Sequence, residues 1–212
     1  MNNISFQLFP DTIPRLYSLL LKSELTMSLI LETPRLTLRP FTDDDSPAFS
    51  AYRSDPVVAQ YQGWEAPFSL EQAAEFIEYM KAATPGKPGQ WYQLALERKS
   101  DGTLIGDCAF KILEDDLRQA EIGFTLAREV HGLGYASEGV GRLLQYLFDD
   151  LDLHRVRGNC DPQNAASIRL MQRLGMRHEG RWIQSLWFKG DWADEDWFAI
   201  LREEWQTSQI NK

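Results

Sequence analysis

Between Glu129 and Glu138 the chain reads Glu-Val-His-Gly-Leu-Gly-Tyr-Ala-Ser-Glu, with Gly132 and Gly134 one residue apart ahead of a run with helical apolar spacing. Glycines at that interval let the backbone turn tightly and gather several N–H groups at one point, and a helix starting there adds its positive dipole end. A phosphate is the ligand such a loop suits. An ordinary strand-to-helix connection that uses glycine for its turn has the same pattern, so the surrounding elements must decide. The two cysteines, Cys108 and Cys160, form no cluster with histidine at metal-ligand spacing, so no metal site is expected. Both read as small buried apolar residues, and reduced thiols point to a cytoplasmic setting.

The elements that must position the loop follow from periodicity. Leu36 to Arg39 alternates apolar and polar residues as a half-buried strand does, and Pro40 closes it. Thr42 with Asp43 to Asp45 is an N-cap and acidic first turn for a helix carrying Phe49 and Tyr52. Ser69 and Gln72 form a capping-box pattern for a second helix with Ala73, Phe76, Ile77 and Met80 on its apolar face. Strands are expected at Trp91 to Leu96, Leu104 to Ile112 and Ala120 to Leu126, joined by short turns of the kind that link antiparallel neighbours. After the glycine loop come a helix bearing Val140, Leu143, Leu144, Leu147 and Leu151, a strand at Arg155 to Cys160, and a helix from Asn164 to Gly175. Strands at Met176 to Trp187 and Asp196 to Leu201 close the chain. The expected fold is α+β, a mixed, mostly antiparallel sheet of about seven strands flanked by helices.

The chain has 212 residues, enough for one domain with a sizeable core. Residues 1–26, interrupted by Pro10 and Pro14, read as an appendage with a short helix around Arg15 to Lys22 or as an over-extended start. A single domain is expected over 27–207, with 208–212 as a tail. No apolar run approaches the ~20 residues that span a bilayer. The formal net charge of −9 argues against a nucleic-acid partner and fits a cationic one. A dinucleotide loop needs a third glycine where Ser137 stands, and it follows a first parallel strand rather than hairpins. A nucleoside-triphosphate loop needs a lysine, and none lies between Lys111 and Lys189.

An antiparallel meander running into a glycine loop and helix, then strand, Asn-capped helix and closing hairpin, resembles the GNAT family of acetyl-CoA-dependent N-acetyltransferases. The likeness covers roughly Leu29 to Trp205. The opening Glu32-Thr33-Pro34-Arg35-Leu36-Thr37-Leu38-Arg39-Pro40 is similar to the first strand of the branch that includes ribosomal-protein N-terminal (alanine/serine) acetyltransferases. Gly132 to Glu138 resembles that branch's pyrophosphate loop, and Asn164 to Ser167 with Leu174-Gly175-Met176 its later helix. Glu129 departs from the pattern, which usually has Gln or Arg there. Pyrophosphate binding is therefore expected from the backbone N–H groups of Val130 to Ala136.

The resemblance implies direct attack of an amine on the thioester of acetyl-CoA, with no metal. Glu121 is the first choice for the base, acting directly or through water; the alternative is an exposed strand glutamate paired with Arg118. A backbone N–H near Phe124 to Leu126 would serve the oxyanion. Ser167, in the first turn after Asn164, could protonate the thiolate or simply cap the helix, since the family's later tyrosine is missing between Ile168 and Leu174. Tyr135 is a second choice for that role. Asn164 caps the helix and, by resemblance, contacts the pantetheine arm. His131 is expected to pack beside the cofactor, with Gly132, Leu133, Gly134, Tyr135 and Ala136 around the phosphates. Arg169 and Arg173 share one helix face and could attract the 3′-phosphate or stand as solvated surface. Trp64 and Trp187 are candidates for the acceptor side, although Trp64 also suits loop-anchoring packing. Trp182 and Trp187 should face opposite sides of an unbulged strand and cannot both be core. The acceptor is a protein N-terminus or small amine and the protein a monomer or homodimer. A non-catalytic acyl-CoA sensor or interaction module on the same fold is the alternative, motivated by Glu129 and the missing tyrosine.

Overall fold

The computed structural model describes residues 28–210, so the expected appendage and the helix around Arg15 to Lys22 lie outside the described residues. The strands are β1 (Leu31–Glu32), β2 (Leu36–Arg39), β3 (Tyr92–Arg98), β4 (Thr103–Ile112), β5 (Gln119–Leu126), β6 (Arg155–Cys160), β7 (Arg177–Phe188) and β8 (Asp191–Leu201). They form one sheet in the order β1-β2-β3-β4-β5-β6-β8-β7. The eighth strand beyond the expected number is β1, whose two residues are too short to show periodicity. β8 begins five residues earlier than its sequence suggests, because Asp191 to Glu195 set three acids around Trp192 and Ala193 without strand-like alternation, yet pair with β7 in a hairpin.

The helices are α1 (Ser46–Arg53), α2 (Pro56–Ala59), α3 (Leu70–Lys81), α4 (Tyr135–Gln145), α5 (Ala165–Arg173) and α6 (Arg202–Ile210). Helix α6 carries the fold through Ile210, so residues 208–210, read as tail, are its last turn. The Ser69–Gln72 capping box that starts α3 is present, with both reciprocal bonds made. Thr42 and Asp45 make a similar box, but it opens a 3₁₀ turn over Asp43–Asp45 that feeds α1. Val140, Leu143 and Leu144 of α4, with Leu147 in the π-helical turn that continues it, are fully buried, as the spacing requires.

Strand order positions the site. Every neighbouring pair is antiparallel except β5–β6, which is parallel and registered only over Gln119–Glu121 against Arg155–Arg157. Beyond Glu121 the two strands splay, and the edge of residues 122–126 that faces β6 has no strand partner among the described residues. On the other side of the sheet, α1 is tied down by a buried polar cluster. The Tyr52 hydroxyl and the Gln93 amide both donate to Asp107, and the Arg53 guanidinium lies 3.6 Å from the same carboxylate. Burial pushes the Asp107 carboxyl up from its usual value despite these donors. The charge of Arg53 is further accommodated by the faces of Trp64 and Phe49, 3.9 and 4.0 Å away.

Candidate active site

The glycine loop takes the conformation its residues predict. A 3₁₀ turn over Arg128–Val130 ends β5, and Gly132 and Gly134 then adopt φ of 78° and 84°, left-handed values that favour glycine. Gly134 is the N-cap of α4 and supplies no side-chain cap, so the first-turn amides of the helix remain unclaimed. The amides of Val130, His131 and Leu133 donate to carbonyls inside the loop. Those of Gly132, Gly134, Tyr135, Ala136 and Ser137 have no partner among the described residues. The expected phosphate donors, Val130 to Ala136, are thereby corrected: three of those amides close the loop itself.

Of these residues Gly132, Gly134, Ala136 and Ser137 border a cavity of about 660 Å³ between the splayed end of β5, the loop, α4 and α5. Its walls include Phe124, Leu126, Val130, His131, Gly132, Gly134, Ala136, Asn164, Ser167, Arg169 and Arg173, all but one of them expected cofactor contacts and the other, Ser167, the expected proton donor. Leu133 and Tyr135 are not among the lining residues. Tyr135 turns its ring under the Arg35 guanidinium, 4.3 Å away, which also removes it as a proton donor at the reacting centre. The His131 ring N–H donates to the Leu126 carbonyl at 2.9 Å, tying the loop to the strand end. Arg173 donates to the Ser137 hydroxyl at 3.0 Å, and Arg169 is exposed on the same wall.

A second cavity, about 220 Å³, adjoins the first across Tyr61, Gln62, Phe124, Asn164 and Ser167, which border both. It holds Glu121, Trp91, Cys160, Leu186 and Phe188, together with Asp161, Asp194 and Glu195. Glu121 is held by Arg157 at 3.0 Å and by Lys111 at 3.7 Å. The expected alternative partner, Arg118, is bound to Asp116 instead. The chain thus runs Arg157 beside Glu121 through the one parallel ladder, a pairing that no local spacing reveals. Glu195 accepts from Asn159 and from Ser185, and none of Asp161, Asp194 and Glu195 has a basic side chain within 4 Å among the described residues.

Asn164 caps α5 by accepting from the Ser167 main-chain N–H at 3.1 Å, which leaves the Ser167 hydroxyl available at the junction of the two cavities. Cys160 lies at the cavity, but burial, aided by Asp196 and Asp161, pushes its thiol up to about 12. Cys108 is fully buried and its thiol is raised further by the same cause. Neither supplies a thiolate nucleophile near neutral pH. No group of three or more metal-ligating side chains occurs among the described residues.

Of the two roles open to Trp64, acceptor contact or loop anchor, it takes the second, and Trp187 lines neither cavity. Trp64 borders neither cavity; its indole N–H donates to the Arg53 carbonyl at 3.0 Å, and its own carbonyl accepts from Lys189. It anchors the loop that brings Tyr61 and Gln62 to the site. Trp187 packs against Trp192 at the hairpin end and is 61% exposed, while its neighbours Leu186 and Phe188 reach the cavity. β7 is bulged between Trp182 and Leu186, and neither Trp182 nor Trp187 is core. Sequence reasoning missed Tyr61, Gln62, Asn159 and the three unpaired carboxylates. Only the Asp161-Pro162-Gln163 turn ahead of the Asn164 cap carried a local signal, since turn residues leading into a cap often flank a site.

Residues present fit acetyl-CoA at this place: free amides at a helix N-terminus for pyrophosphate, two arginines on the flank, and a strand edge without a strand partner among the described residues at the cavity wall. Comparison with known proteins shows the family. The model of the acetyltransferase (GNAT) domain matches residues 35–177. An uncharacterized N-acetyltransferase of Bacillus subtilis, YoaA, is 35% identical over 174 residues, covering 82% of this chain and 97% of its own. The crystal structure of a GNAT-family acetyltransferase from Bacillus anthracis superposes with a TM-score of 0.73 at 30% identity, covering 82% of this chain and 99% of the other. A ribosomal-protein-S5-alanine acetyltransferase from Vibrio fischeri shares the fold, with a TM-score of 0.71 at 18% identity over 84% of this chain and 98% of its own. The family model and these relatives match most of the chain that forms this glycine loop and splayed sheet, and the chain belongs to the GNAT family of acetyl-CoA-dependent acetyltransferases.

Proposed function

We propose that this protein transfers an acetyl group from acetyl-CoA directly to a primary amine, on a protein N-terminus or a small molecule, that enters the carboxylate-lined cavity. The observation that carries this reading is the polarity of the paired cavities. One end offers free amides, Arg169 and Arg173 to an anion, and the other offers Glu121, Asp161, Asp194 and Glu195 to a cation. Acetyl-CoA, when bound, supplies the activated thioester. The chain's residues would do the rest. Asn164 and the edge of β5 would orient the pantetheine arm toward the junction at Phe124 and Ser167. Glu121, fixed by Arg157 and Lys111, would take a proton from the incoming ammonium through water; as the C–N bond forms and the C–S bond breaks, the Ser167 hydroxyl would relay to the departing sulfur the proton that the acetylated nitrogen sheds. The carboxylates without basic partners would favour acceptors bearing further positive charge.

The test is a mass-spectrometric screen in which protein and acetyl-CoA are mixed with ribosomal-protein N-terminal peptides, polyamines, aminoglycosides and amino acids. The expected result is one added acetyl group on an amine acceptor, with cationic acceptors ahead of neutral ones. Coenzyme binding without turnover across the whole panel would favour a sensor or interaction module, and no coenzyme binding would end the reading.

A further inference from the structure

The loop that borders the larger cavity is held from behind by residues about a hundred positions away in the chain. The Arg35 Nε donates to Glu138 Oε2 at 2.6 Å, and its main-chain N–H donates to Glu138 Oε1 at 2.8 Å. Thr33 adds its hydroxyl to the same oxygen at 2.6 Å. The guanidinium also donates to the Leu133 carbonyl at 3.0 Å and lies 4.3 Å from the centre of the Tyr135 ring. A single arginine therefore touches Leu133, Tyr135 and Glu138. Gly134 sits between them, close enough that a Cβ there would stand 3.3 Å from the Arg35 Nη2.

These contacts have a geometric result. Leu133 and Tyr135, whose carbonyl and ring Arg35 engages, are absent from the cavity wall, while the alternating Gly132, Gly134 and Ala136 form it. They have an electrostatic one as well. Glu138 lies in the first turn of α4, close to where an anion would bind. Burial works to protonate it, but the Thr33 hydroxyl and the Arg35 main chain and guanidinium outweigh burial and hold its carboxyl below the usual value. A carboxylate kept ionised there would repel pyrophosphate unless a cation answered it, and Arg35 is that cation.

We propose that Arg35 is a positioning residue for coenzyme binding, which sets the Leu133–Tyr135 backbone so that the free amides of the loop face the cavity and which neutralises Glu138 behind them. The proposal rests on the coenzyme reading above. It gives the Thr33–Arg35 segment, outside both cavities, a part in coenzyme affinity and none in amine recognition.

The test compares kcat/KM for acetyl-CoA with kcat/KM for S-acetylpantetheine, which carries the same thioester and lacks the pyrophosphate and adenosine. General damage moves both and leaves their ratio unchanged, so the ratio reports the loop. Arg35→Ala is expected to lower it at least tenfold, through KM for acetyl-CoA, with KM for the amine unchanged. Arg35→Lys keeps the charge and loses the fork and the stacked plane, so it should recover only part of the loss. A ratio within twofold of the wild type in Arg35→Ala would overturn the proposal. A wild-type ratio near one would show that the loop holds no pyrophosphate, and would remove the coenzyme reading and this proposal together.

Discussion

Replacing Gly134 by alanine separates the backbone demand of the loop from its contacts. Gly134 sits at φ 84° and ψ −2°, where a Cβ costs roughly 1–2 kcal/mol. The substitution also removes freedom from the unfolded chain, which returns about 0.4–1 kcal/mol. The net loss is therefore roughly 0–1.6 kcal/mol, centred near ~0.8 kcal/mol. For a domain of this size that lowers Tm by roughly 2–3 °C at the centre of the range and by about 6 °C at most, at about 2–4 °C per kcal/mol. The added methyl would stand 3.3 Å from Arg35 Nη2, so the guanidinium must yield by a few tenths of an ångström and loosen its grip on the Leu133 carbonyl. Gly132→Ala is the matched control: φ is 78° and no atom lies within 4 Å of the new Cβ, so it carries the backbone cost alone. Thermal melts followed by circular dichroism, with calorimetric titration of coenzyme A, read both effects. The two variants should lose similar Tm, and Gly134→Ala should lose more coenzyme affinity. A Gly134→Ala protein that melts and binds as the wild type does would refute the left-handed loop as the source of the site.

Glu121→Gln should lower kcat by roughly 10²- to 10⁴-fold in steady-state assays, the range of general-base contributions, whereas a purely ion-pairing Glu121 would leave kcat near the wild-type value. Ser167→Ala should lower kcat by roughly 10²-fold with little change in Tm, because Asn164 caps α5 through the Ser167 main chain and not its hydroxyl. Asp45 supplies the pH test. Burial raises its carboxyl, but the Arg39 guanidinium and the Thr42 donors outweigh this and hold it below the usual value, so its contribution is present above about pH 4 and lost as pH falls further. Urea unfolding should therefore show Asp45→Asn less stable by about 1–3 kcal/mol at pH 7, with the difference shrinking toward pH 3; a constant difference would contradict the pairing.

Local signals in the chain foretold local structure. The spacing of Gly132 and Gly134, the Ser69–Gln72 box and the Asn164 cap each involve residues within a few positions of one another, and each forms as its chemistry requires. Relations across strands were not legible. Glu121 meets Arg157 rather than Arg118 because β5 and β6 are parallel over three residues, and parallel register leaves no trace in side-chain alternation. Trp64 suited both an acceptor contact and loop-anchoring packing from its place between the early helices, and Arg53, buried in an aromatic setting, claims its ring and decides for packing. Of the carboxylates without basic partners in the smaller cavity, Asp194 and Glu195 come from a hairpin strand whose start lacks apolar periodicity, and Asp161 from the turn that follows β6. Arg35 and Glu138 lie far apart in sequence, and only the fold shows that the opening strand and the glycine loop are one unit.

Two-substrate initial-rate kinetics test the central claim most directly, because the proposed reading has both reactants meet where the adjoining cavities share Phe124 and Ser167, with neither cysteine carrying an acetyl group. Thiol release measured at several fixed amine concentrations while acetyl-CoA is varied should give intersecting double-reciprocal lines, the pattern of a complex that holds both substrates. Parallel lines, the pattern of a covalent acetyl-enzyme, would contradict the account.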